Sequence, residues 1–263
     1  MEGLYDGKVG QELVAFGITN PEKKAGDDLD PMLFEVSIPY GLSILANHDA
    51  HSFVPGINDL IAGRAINADG DTVNTVSYDE RIAIGKAARQ ALKEFGEAKA
   101  AGDTAAMNAA RSELMAGFKY FGYGYFDSAD EAVPPVGLTF YSFRVMVIAG
   151  GYLFALFIAL LFICYRSRKF LERPWLHWLG MLSIVVVWVC SQAGWIVAEV
   201  GRQPWVIQDL MPTRAAISDI SGGSVQLTFW IFALLFTLML AAEISIMLRY
   251  INRVSKTEIE QHD

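Results

Sequence analysis

Three long apolar runs constrain this chain more than any other feature of its sequence. They cover about residues 140–165, 175–200 and 225–250. Each run contains the roughly 20 residues that an α-helix needs to cross the hydrocarbon core of a bilayer. The pattern predicts an all-α membrane protein with three transmembrane helices, which lie in a membrane region of residues 138–263.

The distribution of charge predicts which side of the membrane each segment faces. Residues 1–137 hold 21 acidic and 11 basic side chains, whereas the link between the first two runs and the end after the third are basic. The positive-inside rule then places that link and the C-terminus in the cytoplasm. Residues 1–137 and the loop at 201–224 are expected outside. The acidic region also argues against a nucleic-acid partner, which requires a basic face.

The region before the membrane is predicted to be partly helical. Glycine and proline punctuate residues 1–40, which are expected to be extended or irregular, and residues 67–76 are expected to form a loop. Ser77 and Glu80 have the spacing of a capping box, which predicts a helix over Tyr78–Lys99. A second helix is expected to end near Met115. The aromatic run that follows Phe118 is typical of the interface just outside a bilayer.

Arg144 and Met146 carry unusual chemistry for the interior of an apolar run. Two residues apart on a helix differ by about 200°, so the two side chains are expected on different faces. The thioether of Met146 is a soft ligand suited to haem iron, and Arg144 could neutralise a carboxylate such as a haem propionate. Alternatively, Arg144 extends towards the interface and Met146 only packs.

Further polar groups lie in the second and third runs. Trp195, Glu199 and Arg202 follow one another at about one helical turn, so they are expected to share a surface with an ion pair between Glu199 and Arg202. The alternative is a paired charge that stabilises the helix end. Glu243 lies deep in the third run, where it could serve a proton path or bind a neighbouring helix. No histidine is expected within a span.

Three segments together resemble one known family. GWIVAEVGRQPW at 194–205 is similar to the signature of subunit I of the cytochrome bd-type quinol oxidases. FYSFRVMV at 140–147 resembles the haem-binding arginine–methionine segment of that family, and MEGLYDGK at the start resembles part of its quinol loop. The resemblance implies the C-terminal half of that subunit, beginning within an extracytoplasmic, partly helical quinol-loop region.

The resemblance also implies an activity and a set of cofactors. The family oxidises quinol and reduces dioxygen to water, with a low-spin haem b, a high-spin haem b and haem d. Carried over by motif, Glu2 would take part in quinol oxidation. Met146 would be a ligand of the low-spin haem iron, and Arg144 would lie beside that haem.

The remaining implied roles concern the high-spin haems. Glu199 would be a ligand of the high-spin haem b iron, Trp195 would pack at the haem pair, and Arg202 would lie near a propionate. The chain would lie in the bacterial cytoplasmic (inner) membrane. Its implied partners are the N-terminal half of subunit I, subunit II, quinol, dioxygen and the lipid bilayer.

The lack of an export signal conflicts with the predicted outside location of the first residues, which leads us to expect that this chain is a fragment. The first residues show no signal peptide, yet the charge rule places them outside, so we expect an N-terminal membrane portion to be missing. No complete haem site is expected in the chain alone. Two other interpretations stay open: a non-enzymatic membrane receptor or assembly subunit with an acidic outer domain, and a small transporter that uses Glu243 as a proton carrier.

Overall fold

Long helices dominate the chain, and small sheets occupy its N-terminal region. The computed structural model describes residues 1–66, 71–166 and 173–262. The helices in this part are α1 (Gly41–Asn47), α2 (Ile57–Ile61), α3 (Tyr78–Ala101), α4 (Thr104–Gly117), α5 (Val136–Arg166), α6 (Pro174–Val200) and α7 (Gly222–His262). The strands are β1 (Lys8–Val9), β2 (Leu13–Thr19), β3 (Met32–Ile38), β4 (Phe53–Val54), β5 (Arg64–Ile66), β6 (Thr72–Asn74), β7 (Trp205–Ile207) and β8 (Met211–Pro212).

The three predicted membrane helices are confirmed as α5, α6 and α7, since all three are long and apolar enough to cross a membrane. The helix α5 begins four residues before the expected start. Pro174 begins α6 because proline suits the first turn, where its missing N–H has no helical partner. The prediction that no histidine lies in a span is wrong, because His177 belongs to the first turn of α6.

The chain divides into two compact units, Met1–Ala216 and the part from Ile217 onward. In the first unit α5 packs along α6. The second unit consists mainly of α7, whose described side chains, Glu243 among them, are mostly exposed within the chain.

The predicted pair of surface helices is present as α3 and α4, which pack against each other. Ser77 and Glu80 form the expected capping box at the start of α3. Gly102 ends the helix with a φ of +74°, a left-handed conformation that glycine adopts without steric cost. Asp103 then caps α4 by accepting hydrogen bonds from two backbone N–H groups.

The segment after α4 folds back onto α3 as a 3-10 helix, Phe118–Tyr125. A Cβ added at Gly85 would lie only 2.3 Å from the backbone nitrogen of Gly124, so both positions require glycine. The expectation of an interfacial aromatic belt is wrong for part of this run. Tyr123 and Phe126 are buried together with Trp205, because the loop after α6 covers them.

The expectation of extended chain over residues 1–40 is confirmed, because β2 and β3 form an antiparallel hairpin there. A loop was expected over 67–76, of which residues 67–70 lie outside the described part. The expectation is wrong for Thr72–Asn74, which pairs with Arg64–Ile66 as a second small hairpin.

Candidate functional site

Arg144 is the most extensively bonded charged group of the first unit. Its Nη1 donates hydrogen bonds to the backbone oxygens of Met1 (3.1 Å) and Phe140 (3.3 Å). Its Nη2 donates to Glu2 Oε2 (2.9 Å) and to the Val14 oxygen (2.6 Å). One guanidinium therefore ties α5 to both the first residues and β2.

The surroundings of Arg144 explain why a charge is tolerated there. Its side chain is 9% exposed and that of Glu2 is 17% exposed, and the two form an ion pair. The guanidinium also stacks on Phe140, with 3.4 Å between Cζ and the ring centroid. A buried charge costs free energy unless it is paired and hydrogen-bonded, and here one N–H, at Nε, is buried without a partner. The other two nitrogens of the guanidinium are both hydrogen-bonded.

Glu2 lines a cavity of about 190 Å³ at the side of this ion pair. Glu12 and Glu35 also line the cavity, together with Tyr5 and Lys8. A second cavity, of about 590 Å³, lies between the β2–β3 turn and residues 133–141. The sequence predicted Glu2 and Arg144 as separate site residues, and the structure brings them into direct contact.

Met146 faces a different neighbour from Arg144. A Cβ added at Gly194 of α6 would lie 3.2 Å from Met146 Sδ, and Cys190 Sγ donates a hydrogen bond to the Met146 oxygen at 3.5 Å. Met146 therefore packs in the contact between α5 and α6, whereas Arg144 turns towards the N-terminal residues. A larger residue at Gly194 would therefore press on the thioether.

Trp195, Glu199 and Arg202 lie along the end of α6 and are all exposed within the chain, Trp195 by 62%. The expected ion pair between Glu199 and Arg202 is not among those formed by the described residues. The backbone oxygen of Glu199 instead accepts a hydrogen bond from Gln203 Nε2. These three side chains are free to contact another group or chain.

The segment directly after Arg202 is held firmly, which sequence reasoning missed. Trp205 is 5% exposed and packs edge to face on Tyr123, with 4.9 Å between ring centroids. Tyr123 Oη donates to Asp209 Oδ1 (2.8 Å) and accepts from Arg81 Nη1 (3.1 Å). Burial raises the pKa of the Tyr123 hydroxyl, and the neighbouring Tyr78 and Asp209 raise it further. The aromatic run after Phe118 was the available signal, but it was attributed to the interface.

The candidate metal ligands predicted from the sequence, Met146 and Glu199, do not belong to a cluster of ligands among the described residues. Within residues 1–66, 71–166 and 173–262, no group of three or more histidine, cysteine, aspartate or glutamate side chains could hold a metal ion. A thioether is a ligand that haem iron accepts and a guanidinium is a partner for a propionate, and in this chain Met146 and Arg144 face different neighbours.

Comparison with solved structures gives the class of protein first. The bd oxidase from Geobacillus thermodenitrificans matches with a TM-score of 0.55 over 96% of this chain and 40% of that chain, at 21% identity. At this identity the likeness concerns the fold alone, which is that of a helical membrane oxidase subunit.

The family follows from the sequence. The model of "Cytochrome bd terminal oxidase subunit I" matches residues 1–255, so the chain belongs to the cytochrome bd terminal oxidase subunit I family. This result confirms the resemblance and favours the oxidase over the receptor and transporter interpretations. It also makes the chain part of a membrane-bound protein family.

Two curated relatives show how much of such a protein is matched. The "Cytochrome bd-II ubiquinol oxidase subunit 1" of Escherichia coli (strain K12) is 29% identical over 85% of this chain and 43% of its own length. The "Cytochrome bd ubiquinol oxidase subunit 1" of Bacillus subtilis (strain 168) is 30% identical over 50% of this chain and 28% of its own length. The chain thus spans less than half the length of these relatives.

Proposed function

We propose that this chain takes part in quinol oxidation and dioxygen reduction to water within a bd-type terminal oxidase. The observation that supports this most is the buried ion pair between Glu2 and Arg144. Glu2 lines a cavity, and Arg144 lies two residues before Met146 in the sequence. Quinol oxidation needs a group that accepts a proton, which Glu2 can be, and electron transfer needs a haem, for which the Met146 sulfur can be a ligand.

Glu2 is the proposed catalytic group for quinol. Its carboxylate lines the cavity of about 190 Å³, where it can accept a proton as a bound quinol loses electrons. Arg144 holds that carboxylate at 2.9 Å and fixes its orientation. Glu12 and Glu35 border the same space and can pass the proton towards water.

Haem, when bound, supplies reversible one-electron transfer between quinol and dioxygen. Met146 would hold the iron of a low-spin haem b through its thioether. Arg144 would bind a propionate, and its unpartnered Nε–H is the group available for this bond. The carboxylate of Glu2 and the propionate would then bind different nitrogens of one guanidinium, which would place the quinol site next to the haem site.

The end of α6 would hold the high-spin haem b and haem d. Glu199 would bind the high-spin haem b iron, Trp195 would pack on the haem pair, and Arg202 would contact a propionate. The exposure of all three within this chain supports the role, because a large planar group needs an uncovered surface. A further portion of subunit I and subunit II would complete the site.

The proposed location is the bacterial cytoplasmic membrane, with residues 1–137 outside and the C-terminus in the cytoplasm. The positive-inside rule supports this orientation, since the basic residues lie in the link between α5 and α6 and after the apolar part of α7.

Methionine substitution in the assembled oxidase tests the haem assignment. Met146→Leu removes the sulfur and nearly preserves volume, so the reduced low-spin haem b should lose its six-coordinate absorbance while the red haem d absorbance remains. Met181→Leu, at an exposed position on α6, is the matched control and should leave the spectrum unchanged. An unaltered low-spin spectrum in Met146→Leu would contradict the assignment.

A further inference from the structure

One face of the β2–β3 hairpin is apolar and uncovered. The strand register pairs Phe16 with Val36 and Ile18 with Phe34, so these four side chains share a face with Ile38. Each of the five is between 46% and 56% exposed. An antiparallel sheet with one side in water normally turns polar side chains to that side. The uncovered face of this hairpin, Phe16, Ile18, Phe34, Val36 and Ile38, is called the apolar hairpin face below.

The opposite face of the hairpin carries the polar side chains Glu35 and Ser37 together with the apolar Val14 and Met32. Glu35 points to that side and lines the cavity that contains Glu2. Ser37, also on that side, donates a hydrogen bond to Glu12. The polar side chains of the hairpin therefore lie towards the candidate site, whereas the apolar hairpin face lies on the other side.

The hairpin lies beside a membrane-spanning helix. The Val14 oxygen accepts from Arg144 Nη2 at 2.6 Å, and the Thr19 backbone N–H donates to Tyr141 Oη at 3.0 Å. Both partners belong to α5, within the span that is apolar enough to cross a membrane. The strand β2 thus runs next to α5 at the level of its first turns, where an apolar face can reach lipid.

Most charged residues of the hairpin lie in its turn, and an exposed pair, Lys8 and Glu12, lies at its open end. The two strands contain a single charged residue, Glu35, whereas the turn between them contains six: Glu22, Lys23, Lys24, Asp27, Asp28 and Asp30. The turn lies by residues 133–141, at the N-terminal end of α5. This distribution suits a segment that lies at the membrane interface, with both charged ends in water or headgroups and the apolar middle of its strands next to lipid.

The helix α1, which follows the hairpin, also carries exposed apolar side chains. Ile44 is 51% exposed and Leu45 is 62% exposed. The free edges of a two-stranded sheet carry backbone N–H and C=O groups that cannot be buried in hydrocarbon without partners. The surface therefore suits the boundary between headgroups and acyl chains, where edges meet water and an apolar face meets lipid.

We propose that the apolar hairpin face docks on the bilayer, with its side chains among the lipid acyl chains next to α5. Part of the region before the membrane helices is then an interfacial membrane element rather than a wholly water-facing one. The net acidic turn would be repelled by anionic headgroups, so contact should not require anionic lipid. The inference does not depend on the haem or quinol assignments.

Spin-label accessibility in the assembled protein tests this proposal. Phe34→Cys and Val36→Cys would be labelled in a Cys164→Ser, Cys190→Ser background, in bilayers of phosphatidylcholine. Lipid contact predicts an oxygen-to-nickel-chelate accessibility ratio several-fold higher than at the control Asp28→Cys in the turn. A label at Glu35→Cys, on the opposite face of the same strand, should lack this preference for oxygen.

Two results would overturn the proposal. Equal access of the nickel chelate to positions 34 and 28 would mean that the face is in water. Exclusion of both reagents from positions 34 and 36 would mean that another protein segment covers it. Neither result would affect the haem spectrum of the unlabelled protein, so the proposed function is tested separately.

A substitution-free measurement covers the case in which a cysteine variant does not assemble. Photoactivatable phosphatidylcholine can be crosslinked to the unmodified protein, followed by trypsin and mass spectrometry. Cleavage after Lys24 and Arg64 isolates a peptide that contains β3 and α1. Adducts within residues 33–45 are expected, and their absence alongside adducts on α5 would contradict the proposal.

Discussion

At the scale of single residues, the Arg144 guanidinium matters because it satisfies four acceptors in a place where water is scarce. Two of these acceptors belong to the first two residues and one to β2. Breaking a buried ion pair leaves the remaining charge without compensation, which is why such a loss costs more than the pair itself contributes. The position of Glu2 at its cavity therefore depends on one side chain of a membrane helix.

Arg144→Gln is expected to release the N-terminal residues from α5. The cost should be about 3 kcal/mol or more in the free energy of unfolding, since Glu2 would otherwise have to stay buried without its partner. Hydrogen exchange of residues 1–19 in the assembled protein measures the release.

The matched control is Arg64→Gln, which removes a pair with Asp59 in which the arginine side chain is 61% exposed. Solvent screens that pair, so the change should cost less than about 1 kcal/mol. Equal protection of residues 1–19 in wild type and Arg144→Gln would show that the guanidinium does not fix them.

At the scale of elements, the helices α3 and α4 hold the loop after α6 through the 3-10 helix, Phe118–Tyr125. Two glycines allow the backbones of α3 and the 3-10 helix to touch, and the buried Tyr123 then meets Trp205 and Asp209. Because Trp205 lies three residues after Arg202, this packing limits the positions that the end of α6 can adopt.

The two glycines Gly85 and Gly96 of α3 predict opposite outcomes for the same substitution. Gly85→Ala places a Cβ 2.3 Å from the Gly124 nitrogen, so the contact must open and thermal stability should fall by about 1–3 kcal/mol. Gly96→Ala meets nothing within 4 Å and should gain up to about 1 kcal/mol from helix propensity. Thermal unfolding in detergent compares them. A neutral Gly85→Ala would contradict the close contact.

At the scale of the whole molecule, three apolar helices and an acidic N-terminal region give the chain two segments of different chemical character. The family match covers residues 1–255, so both segments belong to one kind of subunit. The apolar hairpin face belongs to the region before the membrane helices, so under the proposal above this region also contacts lipid.

The proposed orientation predicts one-sided labelling. In intact cells, an impermeant thiol reagent should modify Asn108→Cys, at an exposed position of α4, in a background with both native cysteines changed to serine. Ser167→Cys, in the basic link, should react only after the membrane is opened. The reverse pattern would contradict the assignment of residues 1–137 to the outside, because basic links are retained in the cytoplasm.

The sequence alone determined the elements whose physical signal is local. Apolar length predicted α5, α6 and α7, and a capping box predicted the start of α3, because lipid burial and helix capping act within a few turns of one segment. The motifs also predicted Glu2, Arg144, Met146, Trp195, Glu199 and Arg202 as site residues, whose roles stay predictions.

Only the tertiary structure decided which of these residues meet. Glu2 and Arg144 are 142 positions apart, and no periodicity relates them. Tyr123 became core rather than interface because a loop more than 80 residues later covers it. Glu199 and Arg202 have helical spacing but form no pair, since spacing permits an ion pair without making it favourable. Long-range packing sets such contacts, and sequence pattern does not specify it.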